Sequence, residues 1–335
     1  AKLLKVRGVR NIVFVGDQAS CQSFQHECDK VGMAQPVVHA LSFKENSLST
    51  PPIPDAPAIT TRPLEDVLQE IETHALPVDA IVLRESSRDL PDDISGRLML
   101  LYFKGVPTYT LELFHQVYWR KIPLYRLNHT WLFQEGFPIA REPVFERVKR
   151  ASDVALSLVG LVLASPLVLL GAIAIWLEDR GPVFFTQSRV GRNRTLFRII
   201  KLRTMRTGES KGNQYTQPGD SRITRVGSFL RLTRLDELPQ LWNVLKGEMS
   251  LIGPRAEWDA LVKQYETEIP CYHFRHLVKP GITGWAQVNY PYGANMEDTI
   301  RKLEYDLYYI RYFSFLLDAA IVLKTIHIML FGKGR

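Results

Sequence analysis

Asp236 and Glu237 stand side by side in a run crowded with cations, Arg231-Leu-Thr-Arg234-Leu-Asp236-Glu237-Leu-Pro-Gln-Leu-Trp-Asn243. Alone, two adjacent carboxylates describe a solvated helix start, where acidic side chains suit the dipole. With Arg231, Arg234 and Arg255 in the same stretch, the pair suits phosphoryl transfer. A carboxylate that attacks a diphosphate meets like-charge repulsion, so Lys and Arg groups and a divalent cation must first neutralise the phosphates. Mg2+ takes carboxylate and phosphate oxygens and keeps several waters. One acid can then act as nucleophile while its neighbour assists with metal or proton. Asp236 and Glu237 are therefore candidate catalytic residues and candidate Mg2+ ligands. The turn Ser250-Leu-Ile-Gly253-Pro254-Arg255 can offer backbone N–H groups and a guanidinium to a phosphate. Upstream, Phe197–Met205 reads as a strand carrying Lys201 and Arg203. Two residues apart, these would share a face, either a solvated edge or, near the carboxylates, a second anion contact. Lys201, Arg203 and Arg255, with Arg231 beside them, are the candidate phosphate-binding residues.

The segment Val154–Leu177 has no charge over 24 residues, enough to span a bilayer. Ser165-Pro166 lies in its middle, where proline removes a helix hydrogen bond and a break or kink is expected. A neighbouring serine hydroxyl can satisfy the freed backbone group. Basic residues flank both ends: Arg147, Lys149 and Arg150 before, Arg189, Arg192, Arg194 and Arg198 after. The positive-inside tendency puts both flanks in the cytoplasm. A single crossing cannot do so, whereas a helix that turns back at Ser165-Pro166 can. Further on, Lys279-Pro280-Gly281 is a turn, and Gly284 suggests a bulge or close backbone approach. Tyr305, Tyr308, Tyr309 and Tyr312 fall on one helical face, either packed in the core or set at head-group depth. Ala319–Phe331 is apolar but too short to span reliably.

The first part of the chain alternates differently. Asn11–Val15, Pro36–Leu41, Val78–Leu83 and Val106–Thr110 read as strands; Ser20–Lys30, Pro63–His74 and Asp92–Phe103 read as helices; the Pro-rich Lys44–Pro57 reads as a loop. This is the pattern of a small Rossmann-like parallel α/β sheet. A dinucleotide site would need three glycines in the first turn, and Val15-Gly16-Asp17-Gln18-Ala19-Ser20 supplies one, so a structural or regulatory role is favoured. The expected division is an accessory domain over 1–140 and a second, α-rich α+β domain over 145–335. Charge divides with it. Residues 1–144 hold 15 Lys+Arg against 17 Asp+Glu, and residues 145–335 hold 27 against 18. The basic half should face an anionic partner, and its interleaving with an uncharged apolar segment fits anionic lipid better than nucleic acid. Cys21, Cys28 and Cys271 form no disulfide framework and no zinc-ligand spacing, as expected for a reducing compartment.

Over residues 145–335 the sequence resembles the bacterial sugar transferases, the monotopic phosphoglycosyl transferases that begin exopolysaccharide or O-antigen assembly. The resemblance rests on ordered motifs: Lys149-Arg150 with Asp153, Ser165-Pro166, Gln187-Ser-Arg-Val-Gly191, Lys201-Leu-Arg-Thr-Met205, Leu235-Asp-Glu-Leu-Pro-Gln-Leu-Trp-Asn243, Lys246-Gly-Glu-Met-Ser-Leu-Ile-Gly-Pro-Arg255 and Lys279-Pro-Gly-Ile-Thr-Gly-Trp-Ala-Gln-Val-Asn289. It implies a re-entrant membrane helix broken at Ser165-Pro166 and a catalytic domain on the cytoplasmic face of the bacterial inner membrane. It implies that Asp236 is the nucleophile of a ping-pong reaction: Asp236 takes sugar-1-phosphate from a UDP-sugar, releasing UMP, and a polyprenyl phosphate then accepts it. It implies Mg2+, and phosphate contacts at Lys201, Arg203 and Arg255. Larger family members carry a comparable α/β domain and four further transmembrane helices upstream, so the chain is expected to be part of a longer precursor, and the accessory domain leaves room for a homodimer. Ala256 stands where many members have a second proline. The transferred sugar is not legible. A non-catalytic membrane scaffold of the same fold is the alternative, against which the intact Asp236-Glu237 pair argues.

Overall fold

Strands with unbroken apolar runs are those buried on both faces, and the first unit is built around two of them. A computed structural model describes residues 11–41, 59–84, 90–124, 143–206, 220–290 and 295–331, in two compact units, Ala1–Arg120 and Lys121–Arg335. In the first, strands β1 (Asn11–Gly16), β2 (Val37–Leu41), β3 (Thr61–Pro63), β4 (Val78–Leu83) and β5 (Thr108–Thr110) form a sheet of order β3-β2-β1-β4-β5. Every pairing is parallel. The period of two splits β1 and β4 between two cores. Ile12, Phe14 and Val82 pack with Cys21, Phe24 and Cys28 of helix α1 (Gln18–Val31). Val13, Val15, Ile81 and Leu83 pack with helices α2 (Leu64–Glu72) and α3 (Asp92–Phe103). Asp17 caps α1 by accepting from Ser20 N at 2.7 Å, and Gly32 ends it at φ 68, the ordinary start and stop chemistry of a helix.

The order of strands reverses between β1 and β4, and their carboxyl ends are where such a sheet would receive a nucleotide. There Asp17 pairs with Arg84, and a Cβ on Gly16 would lie 2.5 Å from Ser20 Oγ. Asp17, Ser20 and Arg84 thus crowd the backbone at the end of β1. After β5 the chain adds a short helix α4 (Leu111–Phe114) and a π-helical turn, His115–Trp119, neither legible in the sequence. The expected loop Lys44–Pro57 and most of the expected boundary near 140 lie outside the described residues.

The second unit is α-rich, with two small two-stranded sheets among its described residues. Helix α5 (Pro143–Asp179) is followed by the antiparallel hairpin β6 (Phe184–Val190) and β7 (Leu196–Leu202). Helix α6 (Arg225–Thr233), a 3-10 turn over Leu235–Glu237 and helix α7 (Gln240–Lys246) come next. Strand β8 (Ser250–Ile252) pairs in parallel with β9 (Gly281–Thr283), with helix α8 (Asp259–Glu268) and a 3-10 helix Tyr272–Leu277 between them. Helices α9 (Trp285–Asn289), α10 (Met296–Tyr312) and α11 (Phe315–Phe331) close the unit. On α10 the tyrosine face is mainly core: Tyr305 and Tyr309 are buried and Tyr312 is exposed.

Helix α5 is long and apolar enough to cross a membrane. One face, Asp153, Ser157, Ala164, Gly171 and Ile175, is buried, while Leu156, Leu163, Leu169, Leu170 and Leu177 are exposed. The expected break is not an interruption of the helix: α5 runs on through Pro166. Pro166 cannot donate to the carbonyl of Val162, and the Ser165 hydroxyl donates to that carbonyl instead, at 2.8 Å. The serine satisfies the group that proline frees, so the turn need not unwind. Both ends of α5 are fastened to the same unit. Asp153 accepts from Leu251 N at 3.1 Å, and Glu178 accepts from Arg225 N at 2.9 Å.

Candidate active site

Helix α6 ends at Arg234, whose backbone turns left-handed at φ 60. That reversal, the 3-10 turn after it and Pro239 ahead of α7 keep Asp236 and Glu237 out of a regular helix. Lys201 Nζ reaches Glu237 Oε1 at 2.8 Å, and Arg255 Nη2 reaches the same oxygen at 3.4 Å. Burial pushes the Glu237 carboxyl up, but Lys201 and Arg255 overcome it and hold the group at about 2. Asp236 moves the other way. Burial and the Glu237 charge raise its pKa, and Lys201, Arg231 and Arg234 offset this in part. Among the described residues, Asp236 Oδ1 is buried with no hydrogen-bond partner. The two carboxylates thus have separate jobs available to them: one permanently charged and tied to cations, the other desolvated with a bare oxygen.

Each cation has its own support. Lys201 sits near the end of β7, whose outer edge is covered by one side chain of α7. Asn243 Oδ1 accepts from Ile200 N at 3.1 Å, and its Nδ2 donates to Arg198 O at 2.7 Å. The amide mimics a further strand and fixes the register of Lys201. Arg255 follows a turn where three glycines meet backbone to backbone. A Cβ on Gly281 would lie 2.1 Å from Gly253 N, and one on Gly284 2.1 Å from Gly253 O. Gly253 N donates to Thr283 O and Gly281 N to Pro254 O, both at 2.9 Å. The close approach expected at Gly284 is this contact.

Of the four expected phosphate-binding residues, Lys201 and Arg255 converge on Glu237. Arg231 donates to Thr204 Oγ1 at 2.9 Å and acts electrostatically on Asp236. Arg203 pairs instead with Asp179 at the end of α5. Strand β7 stops at Leu202, so Lys201 and Arg203 do not continue along one strand face. The sequence reading missed Arg189. Together with Lys201, Gln240 and Arg255 it lines a small cavity beside the carboxylates, backed by Ile199 and Met249. Its motif, Gln187-Ser-Arg-Val-Gly191, was visible; its approach to Arg255 depends on the fold. Among the described residues no three His, Cys, Asp or Glu side chains gather as a metal cage. Two adjacent carboxylates, one with an unpartnered oxygen, fit a Mg2+ ion that keeps waters and takes further oxygens from phosphate.

The site is thus a carboxylate pair met by lysine and arginine, on a unit that carries a helix long and apolar enough to cross a membrane. The sequence profile of the bacterial sugar transferases matches residues 144–332, and the chain belongs to that family. It is 40% identical over 269 residues, 80% of the chain, to the UDP-N-acetylgalactosamine-undecaprenyl-phosphate N-acetylgalactosaminephosphotransferase of Aeromonas hydrophila, where the match spans 63% of that protein. It is 44% identical over 183 residues, 53% of the chain and 39% of the relative, to the UDP-glucose:undecaprenyl-phosphate glucose-1-phosphate transferase of Escherichia coli K12. With the protein of the same description from Caulobacter vibrioides it is 43% identical over 194 residues, 57% of the chain and 72% of the relative. The chain therefore spans less than two thirds of the first two.

Proposed function

We propose that this chain transfers a sugar-1-phosphate from a UDP-sugar to a polyprenyl phosphate of the undecaprenyl type, through a covalent intermediate on Asp236. The observation that carries the reading is the bare, buried Oδ1 of Asp236 beside a Glu237 held charged by Lys201 and Arg255. A carboxylate oxygen of Asp236 attacks the phosphorus that bears the sugar. The bond from that phosphorus to the bridging oxygen breaks, and UMP leaves with the oxygen and its electron pair. A phosphate oxygen of the polyprenyl phosphate then attacks the same phosphorus. The aspartyl–phosphorus bond breaks, Asp236 is restored as carboxylate, and polyprenyl-diphosphate-sugar is formed. Lys201 and Arg255 lower the charge repulsion of both attacks. Asp236 and Glu237 would hold a Mg2+ ion, which would supply further neutralisation of the diphosphate.

The membrane reading is a re-entrant one, with both flanks of α5 on the cytoplasmic face of the bacterial inner membrane. It is supported by the fastening of both ends of α5 to one folded unit and by basic residues on both flanks. Single cysteines at positions 147 and 194 should label from the same side of sealed vesicles; labelling from opposite sides would mean a single crossing. The test of the chemistry is intact mass of nanodisc-held protein incubated with Mg2+ and UDP-sugars, UDP-glucose and UDP-N-acetylgalactosamine first. A sugar-phosphate adduct is expected on the wild type and not on Asp236→Asn. No adduct and no UMP release with any donor, acceptor included, would favour a scaffold.

A further inference from the structure

Arg275 does not reach the carboxylates, yet it grips the backbone of the residue that does. It lies on the 3-10 helix Tyr272–Leu277 and is buried. Its Nη2 donates to Arg255 O at 2.9 Å and to Asp306 Oδ2 at 2.9 Å, and its Nη1 donates to Tyr272 Oη at 2.5 Å. Asp306, on α10, is also buried. One residue along the turn, Ala256 O accepts from Arg189 Nη1 at 3.0 Å. Two successive carbonyls after Gly253-Pro254 are therefore held by two guanidinium groups that arrive from different elements.

A fully buried ion pair is weak evidence of stabilisation, because desolvation offsets much of the attraction. Its geometry is more informative. A guanidinium is a rigid planar fork, and one pinned by a carboxylate and a phenol has little freedom in where its remaining N–H bonds point. Here the fork points at the peptide that follows Arg255, and so fixes the plane from which that side chain departs. The Arg255 side chain is 37% exposed and meets Glu237 at 3.4 Å. The direction from which it approaches that carboxylate starts from the backbone that Arg275 holds. We propose that Arg275 and Asp306 are positioning residues, which set the Arg255 guanidinium against the diphosphate of the nucleotide donor. This rests on the transferase reading for the identity of the ligand.

The test is a double-variant cycle on UDP binding, measured by calorimetry on the full chain in nanodiscs with Mg2+. Arg255→Ala and Arg275→Gln should each weaken UDP by about tenfold, the scale of one charge-assisted hydrogen bond. The double variant should bind UDP no more weakly than Arg255→Ala, since Arg275 acts only through Arg255. Losses that multiply in the double variant, or an Arg275→Gln that binds UDP normally, would overturn the proposal. Should Arg275→Gln not fold, Asp306→Asn and Tyr272→Phe loosen the fork while keeping its shape. Each should weaken UDP in the wild-type background and have no effect beside Arg255→Ala. UMP release is followed in the same samples. Coupled UDP binding without UMP release from any donor refutes the transferase reading and leaves the role of Arg275 standing. UMP release with multiplied losses refutes the role of Arg275 alone, and a wild type that does not bind UDP refutes both.

Discussion

Replacing Lys201 by methionine keeps the apolar stem and removes the charge that faces Glu237. The Glu237 carboxyl falls from 4.5 to about 2. At about 1.36 kcal/mol per unit, that is roughly 3 kcal/mol of folded-state stabilisation at neutral pH, shared between Lys201 at 2.8 Å and Arg255 at 3.4 Å. Burial holds the Lys201 ammonium below its usual range and takes back part of this, but removing one partner strands the other's buried charge, so Lys201→Met should cost about 2 kcal/mol or more. The sign with pH follows from the depressed value. Stabilisation from Glu237 is full above about 4.5 and is lost as pH falls toward about 2. Urea unfolding in a fixed detergent, followed for the wild type, Lys201→Met, Glu237→Gln and the double variant, isolates the pair. The double variant should lose clearly less than the two single losses combined, and the difference between wild type and Glu237→Gln should shrink across that acid window. Additive losses, or a difference unchanged down to about pH 2, would show that the pair does not hold the site together.

Three further outcomes follow from the same geometry. Asp236→Asn should abolish the sugar-phosphate adduct yet raise the thermal midpoint at neutral pH. The Asp236 pKa is raised by burial and by Glu237, so its charged form opposes folding, and the gain should fade as pH falls through that raised value. Asn243→Leu removes the amide that bonds Ile200 N, Arg198 O and Glu248 Oε2, and should cost about 3 kcal/mol in urea unfolding through stranded buried groups; a cost below about 1 kcal/mol would mean that water replaces it. Gly281→Ala places a Cβ 2.1 Å from Gly253 N, and should move the Arg255 turn and raise the donor KM; an unchanged KM would show that the turn tolerates the displacement.

How much of this could be read from the sequence depended on how local each determinant was. The strands over Asn11–Gly16 and Val78–Leu83 were legible because continuous apolar runs have few other uses. The carboxylate pair and its cations were legible as residue types, but which cation meets which acid was not. Lys201 and Arg203 differ by two positions, yet one faces Glu237 and the other Asp179. The end of β7 at Leu202 decides between them, and strand ends are set by what packs across the edge. Asn243 covers that edge. A lone asparagine in Leu-Trp-Asn-Val-Leu was a signal, since such a residue inside a helix needs a partner, but the partner is a backbone more than forty residues away.

Pro166 shows a second limit. The rule that proline breaks helices rests on a carbonyl left without a donor and on a steric clash. The Ser165 hydroxyl supplies the donor, so the Ser165-Pro166 pair that signals a break also carries the group that lessens its cost. Helix α5 is long and apolar enough to cross a membrane, and in lipid no water would be at hand to take that role, which would make the serine the more important of the two. Ser165→Ala should leave Val162 O unpaired in an apolar setting and disturb α5 more than the same change on a soluble helix. Pro166→Ala restores the N–H and should be the milder change to the helix itself. If a re-entrant path depends on Pro166, however, Pro166→Ala should put the two flanks on opposite sides of the vesicle. Same-sided labelling that survives Pro166→Ala would instead place the cause in the two anchors, Asp153 on Leu251 N and Glu178 on Arg225 N.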